Sequence, residues 1–175
     1  MDNGSILTGT KIRTRQSPLF DSLAVATTTT LTATGIIKMF GNIVGVGGIG
    51  PETTNMEKAF ELVGGNSFLV RSMRVVVHAA AADITSFMKG FTVRLIASGI
   101  KLLDAPADFW PGGAGVNTVA SNGIADPRAV MGFDLDPIQL TDGISFRVEL
   151  LGTTFTTTAA FFLRVYLDGR WTEPV

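Results

Sequence analysis

Side chains that carry most enzyme chemistry are sparse in this sequence. His78 is the sole imidazole among 175 residues, and there is no Cys. The absence of thiols excludes a thiolate nucleophile and a thiolate-ligated zinc, and one imidazole cannot form a multi-His metal cluster within a chain. A Ser-His-Asp arrangement would have to use His78, yet no Ser sits in a G-x-S-x-G elbow. His78 therefore reads as a strand-end side chain bonded to backbone, with a pH-sensing contact as the alternative. Asp134, Asp136 and Asp142 stand together in DLDPIQLTD, but this stretch lacks the ligand spacing and central Gly of a calcium loop. Beside Pro137 and Gly143 they read as turn formers. A carboxylate pair for glycoside hydrolysis is a matter of three-dimensional separation, so Asp134 and Asp136 stay as the best candidates for an enzymatic reading.

Two further groups of residues could bind rather than react. Gly45-Val46-Gly47-Gly48-Ile49-Gly50 fits the G-x-G-x-x-G spacing that lets a pyrophosphate approach a helix N-terminus. Pro51 follows where that helix should run, no acidic residue ends the strand Phe68 to His78, and strands do not alternate with helices, so a Gly-rich loop or contact segment is expected and no cofactor. Lys11, Arg13 and Arg15 occupy alternate positions, so an extended arm presents all three on one side. There they could meet a neighbouring subunit, nucleic acid or an anionic membrane surface, nucleic acid only through a weak, salt-sensitive contribution. Phe109 and Trp110, with Tyr166 and Trp171, are either interface anchors or sugar-stacking rings of a lectin-like sandwich.

These residues must be positioned by β-structure. Leu23 to Thr34 is dense in Thr and Val, which lose rotamer freedom in helices and suit a pleated surface. Phe68 to His78, Phe91 to Ala97, Ile100 to Leu103, Ile144 to Leu151 and Ala159 to Leu167 read as strands, with weaker ones at Ala129 to Leu135 and Pro137 to Leu140. Asp104 to Asp126, rich in Gly, Pro and Asn, reads as a long interfacial loop. One short helix is predicted over Asn55 to Val63, with Thr53, Thr54 or Asn55 as cap and Gly64-Gly65 as its stop. The expected fold is all-β: a single antiparallel sandwich or jelly roll of about eight strands over residues 21–175, with an extended N-terminal arm over 1–20.

Charge narrows the function classes. Charged residues make up 17% of the chain, against about 25% in ordinary soluble domains, and mean hydropathy is +0.35. The net charge of −1 excludes a global polyanion-binding field. Ile36 to Gly50, the most apolar stretch, is short, Gly-interrupted and carries Lys38, so no membrane-spanning helix is expected. The start MDNGSILTG lacks the basic and apolar regions of a secretory signal, so folding in the cytosol is expected. Low charge then implies surfaces buried against protein neighbours, because obligate interfaces are depleted in charge.

The Gly-rich segment, Thr53-Thr54-Asn55-Met56, Gly64-Gly65 and Phe68-Leu69-Val70, in that order, with the ending Phe162-Leu163-Arg164-Val165-Tyr166-Leu167-Asp168-Gly169 and Pro174-Val175, resembles capsid proteins of bacteriophages built on a β-jelly roll. This resemblance implies a non-enzymatic structural protein of an icosahedral virion, made in the host cytoplasm. Its partners would be copies of itself and other capsid proteins, with nucleic acid or an internal membrane reached through the arm. The length suits a single-barrel capsid, vertex or cementing subunit better than two barrels in series.

Overall fold

The computed structural model describes residues 12–31, 36–109, 116–117, 122–125, 131–132 and 137–174. Two long strands organise it: β5 (Ser67–Ala80) and β14 (Phe161–Pro174), paired antiparallel from His78 opposite Phe162 to Ser67 opposite Thr172. Each alternates, because successive side chains on a strand face opposite sides. Phe68, Val70, Met73, Val75 and Val77 of β5 and Phe161, Leu163, Val165, Leu167 and Trp171 of β14 are buried on the inner face.

Shorter strands complete this first sheet. β1 (Ile12–Gln16) and β2 (Leu19–Val25) lie end to end along the far edge of β14. Along the far edge of β5 run β9 (Asn122–Ala125), β10 (Met131–Gly132) and β11 (Ile138–Thr141), with β8 (Val116–Asn117) beside β9. The second sheet has the order β4 (Ile37–Met39), β12 (Phe146–Gly152), β6 (Phe91–Ala97), β7 (Ile100–Pro106), all antiparallel. β3 (Thr30–Leu31) and β13 (Phe155–Thr156) form a two-stranded ribbon.

Inward residues of both sheets join one buried cluster, so the architecture is an all-β antiparallel sandwich. Aromatic pairs tie it together: Phe40 and Phe146 at 5.5 Å between ring centroids, Phe87 with Phe91 at 5.0 Å and with Phe161 at 5.7 Å. Both strands that alternate most cleanly in the sequence, Phe91–Ala97 and Phe146–Gly152, pair with each other in the second sheet.

The helix lies elsewhere than predicted. Asn55 to Val63 is not helical; the one α-helix among the described residues is α1 (Ala81–Gly90), which joins β5 to β6 and buries Ile84, Phe87 and Met88 at helical spacing. Thr54 and Asn55, the expected caps, serve the sheet instead. Asn55 Oδ1 accepts from the Phe20 amide (2.9 Å), its own amide donates to the Phe20 carbonyl (3.3 Å) and its Nδ2 to the Pro18 carbonyl (2.7 Å). The Thr54 hydroxyl also donates to the Phe20 carbonyl (3.0 Å), so the edge of β2 is covered rather than left open. Farther on, Phe60 sits at φ 62° and bonds Phe40 and Phe146 through its backbone, a path no helix can follow.

The expected arm is ordered where it is described. Ile12–Gln16 forms a strand with every residue exposed, and Leu19 and Phe20 already belong to β2. The expected long loop begins later than predicted, since β7 runs to Pro106 and a 3-10 turn covers Ala107–Phe109. Its described parts Val116–Asn117 and Asn122–Ala125 are strands. No helix among the described residues is long and apolar enough to cross a membrane.

Candidate interaction surfaces

Arg13 and Arg15 stand two apart on β1, on one side of the strand, as the alternation predicts. Lys11 lies outside the described residues. Arg15 Nε donates to Glu173 Oε1 at 2.6 Å, and its guanidinium carbon sits 4.9 Å from the centre of the Trp171 ring. Trp171 is buried against Phe68, 5.0 Å between centroids, and its Nε1 donates to the Ser17 carbonyl at 3.1 Å. Arg15 and the Trp171 ring flank a cleft of about 270 Å³ that Asn55, Glu57, Glu61 and Glu173 also line. The basic character of the arm is thus partly spent within the molecule: an ion pair at this exposure contributes little net attraction, and Arg15 mainly covers the indole.

The outer face of the first sheet carries a second constellation, of which the sequence singled out Tyr166 alone. β2, β14 and β5 bring Phe20, Phe162, Tyr166, Arg164 and Arg74 together. Phe20 and Tyr166 lie opposite each other in register, 5.9 Å between rings. Arg164 sits 5.2 Å from Phe20, 5.1 Å from Phe162 and 5.9 Å from Tyr166, while its Nε donates to Ser22 Oγ at 2.7 Å. A second nitrogen of the Arg164 guanidinium, Nη2, donates to the Glu52 carbonyl. Arg74 lies 4.7 Å from the Tyr166 ring and donates both Nε and Nη2 to Asp168, at 2.7 and 2.8 Å. A planar guanidinium group can stack on a ring while its N–H groups donate in plane, to the Asp168 carboxylate from Arg74 and to neutral oxygens from Arg164, which suits Arg to both positions better than Lys.

The second sheet differs. Its outer face carries a row of alternating charge across four strands: Lys38, Glu149, Arg94 and Asp104 are opposite one another in successive registers. Arg147 Nε donates to Glu149 at 2.6 Å, and Arg94 Nε and Lys101 Nζ to Asp104 at 2.9 and 2.7 Å. Lys101 and Arg94 together hold the Asp104 carboxyl below its ordinary range. Opposite charges across strands favour this one register.

Large apolar side chains are exposed at Ile12, Ile36, Val44, Val46, Ile100, Leu102 and Phe109. Phe109 closes the 3-10 turn after β7, whereas Trp110 lies outside the described residues. Val44 and Val46 lie on the Gly-rich loop, where Gly45, Gly47 and Gly48 take positive φ and Gly45 donates to the Ile49 carbonyl at 2.8 Å. The stretch after it pairs with β2 instead of starting a helix, so the geometry a dinucleotide needs is not built here.

No group of three or more His, Cys, Asp or Glu able to hold a metal ion occurs among the described residues. Asp142 accepts from the Gly65 amide at 2.9 Å, a turn-fastening role. Asp134 and Asp136 lie outside the described residues, and His78 is in β5 opposite Phe162 rather than at the strand's end. Of the buried carboxylates, Glu149 pairs with Arg147, whereas Asp83 and Asp21 fasten backbone. Asp83 accepts from the Thr158 and Ala159 amides, and Asp21 from the Phe40 amide and Asn42 Nδ2. The described surfaces offer aromatic, cationic and apolar contacts. In comparisons with known proteins, no protein family matches the chain and no curated protein does.

Proposed function

We propose that this protein is a non-enzymatic structural subunit, a jelly-roll building block of an icosahedral bacteriophage shell. Strand order carries the reading. Taking β1 with β2 as the first strand and the segments along β5 as the sixth, the remaining strands of the two sheets are β4, β5, β6, β7, β12 and β14. The sheets then run 1-8-3-6 and 2-7-4-5. Every neighbour pair 1-8, 2-7, 3-6 and 4-5 is present, the set produced by rolling up one long antiparallel hairpin. That set supports reading the sandwich as the double Greek key of a jelly roll, an architecture used by viral capsid and lectin domains.

Between those two uses, the rings favour assembly. Trp171 is buried beneath Arg15, and Tyr166 is flanked by Arg74 and Arg164, so neither offers a sugar an open face. The exposed apolar side chains and sparse charge instead suit burial against protein. Electron microscopy and light scattering of the purified full chain, alone and with virion proteins encoded beside it, test the reading. Incorporation into closed particles is expected. A protein that never enters particles and binds glycans through Phe109 or Trp110 would replace it with the carbohydrate-binding alternative.

A further inference from the structure

We propose that a recess on the outer face of the first sheet binds a doubly charged phosphate group, as inorganic phosphate or a phosphate monoester. The recess lies at the break between β1 and β2. β1 ends at Gln16, opposite Arg170, and β2 begins at Leu19, opposite Leu167, so Ser17 and Pro18 leave the ladder beside Asp168 and Gly169. Ser17 is fixed there by the Trp171 indole, whose Nε1 donates to its carbonyl at 3.1 Å. The opening measures about 350 Å³ and is lined by Gln16, Ser17, Pro18, Arg71, Asp168 and Gly169. On β5, Arg71 is the extra residue between Val70 and Ser72, and a bulge of this kind re-aims a side chain, here to the rim of the recess. Asp168 and Arg170 alternate with buried Leu167 and Trp171, so both face outward, and Gln16, opposite Arg170, shares that face.

Charge selects the ligand. Arg74 already grips Asp168 through two hydrogen bonds, at 2.7 and 2.8 Å, so the carboxylate in the recess is compensated. Arg71 and Arg170 are exposed, and neither forms a hydrogen bond or an ion pair with another residue among the described residues. Two guanidinium groups without a counter-charge match a phosphate monoester, which carries about −1.5 to −2 at pH 7 and three acceptor oxygens. Their forked N–H groups fit those oxygens in pairs, and the Gln16 amide adds a neutral donor beside them. A carboxylate or a phosphodiester brings one negative charge and leaves half of the positive charge unmatched.

This site goes beyond the assembly reading and stands or falls without it. Isothermal titration calorimetry of the full chain at constant ionic strength, with sodium phosphate, glycerol phosphate and dimethyl phosphate as three separate ligands, tests it. Saturable binding of inorganic phosphate in the millimolar range is expected, with dimethyl phosphate at least about fivefold weaker because it carries one charge. Arg71→Gln and Arg170→Gln should each weaken phosphate binding about tenfold while leaving the unfolding midpoint unchanged. Arg71→Lys, which keeps the charge and loses the fork, should fall between. Arg13→Gln, on the opposite side of β1 from Gln16, should bind phosphate as the unaltered protein does. Glycerol phosphate binding as tightly as inorganic phosphate would assign a monoester, and its failure to bind would assign the free ion. Equal affinity for dimethyl phosphate would overturn the charge match. Absence of saturable binding, full affinity in both Gln variants, or an equal loss in Arg13→Gln would overturn the site.

Discussion

A β-carbon on Gly169 would lie 2.0 Å from the carbonyl oxygen of Leu69. Gly169 marks the place where β14 changes register against β5: Asp168 is opposite Ser72, Gly169 is opposite Val70, and Arg71 is left over as a bulge. The bulge lets β14 continue past Asp168 to Pro174, which carries Trp171 into the core and Glu173 to Arg15. Gly169 does not take positive φ, so the requirement for glycine is one of space. Gly169→Ala should lower unfolding free energy by about 1–3 kcal/mol, the usual range for overpacking. Chemical denaturation of both proteins measures it, and an unchanged midpoint would show that the two strands separate freely there.

Asp83 is a buried carboxylate at the first turn of α1 whose partners lie in the loop before β14. It accepts from the amides of Thr158 and Ala159 and from the Thr158 hydroxyl, at 2.9 to 3.2 Å. Asp83→Ala leaves those donors without an acceptor, and the cost expected is about 1–3 kcal/mol for each buried donor that water does not reach. Asp83→Asn keeps the shape and one acceptor oxygen, so its loss should be smaller. Thermal unfolding of the pair checks the order, and equal loss in both would assign the effect to charge rather than to acceptor count.

Asp21 points inward from β2, opposite Val165, and burial raises its carboxyl above the ordinary 3.8 despite hydrogen bonds from Asn42 and Phe40 that pull it down. A raised folded-state value means that the folded protein holds this proton more tightly than the unfolded chain. The contribution of the site is therefore most favourable below the unfolded value and declines as pH rises from there through the folded value. Asp21→Ala should be less stable overall, by about 1–3 kcal/mol from the orphaned Phe40 amide. Its unfolding free energy should also lack that decline with rising pH. Denaturation at a series of pH values from 4 upward gives both quantities, and parallel curves for the two proteins would refute the assignment.

The legible parts of this fold are those where neighbours in sequence decide the structure. FTVRLIA and ISFRVELL alternate because each strand has one buried and one solvent face, and both appear within a residue or two of the predicted bounds. Where partners are remote, the sequence misleads. Thr54 and Asn55 have the chemistry of helix caps, but the same side chains can satisfy a strand edge, and Phe20, about which the local pattern says nothing, takes them. α1 escapes notice because a run of Val and Ala leads into it, no side chain caps its start and its apolar positions span little more than a turn. Likewise Asp168-Gly169-Arg170 reads as the end of a strand, because a bulge and a turn use the same residue types. Of the candidate surface, the alternation of Arg13 and Arg15 was visible. The pairing of Arg15 with Glu173, 158 residues away, was not.

Arg74 and Asp168 offer the clearest measure of what the outer face of the first sheet contributes to the isolated subunit. Both side chains are about a quarter exposed, at 27% and 29%, so solvent screens their attraction. Their bidentate geometry and the Tyr166 ring beneath Arg74 work in the other direction, by fixing the guanidinium before the pair forms. A double-mutant cycle with Arg74→Ala and Asp168→Ala should give a coupling of about 0.5–1 kcal/mol, the upper part of the range for exposed pairs. Arg74→Lys should lose most of that coupling, since an ammonium supplies neither the fork nor the planar stack. The coupling should shrink when salt is raised, because screened charges attract less. A coupling near zero at low salt would mean that Arg74 is held by the ring alone, and this face would then owe its order to stacking rather than to the ion pair.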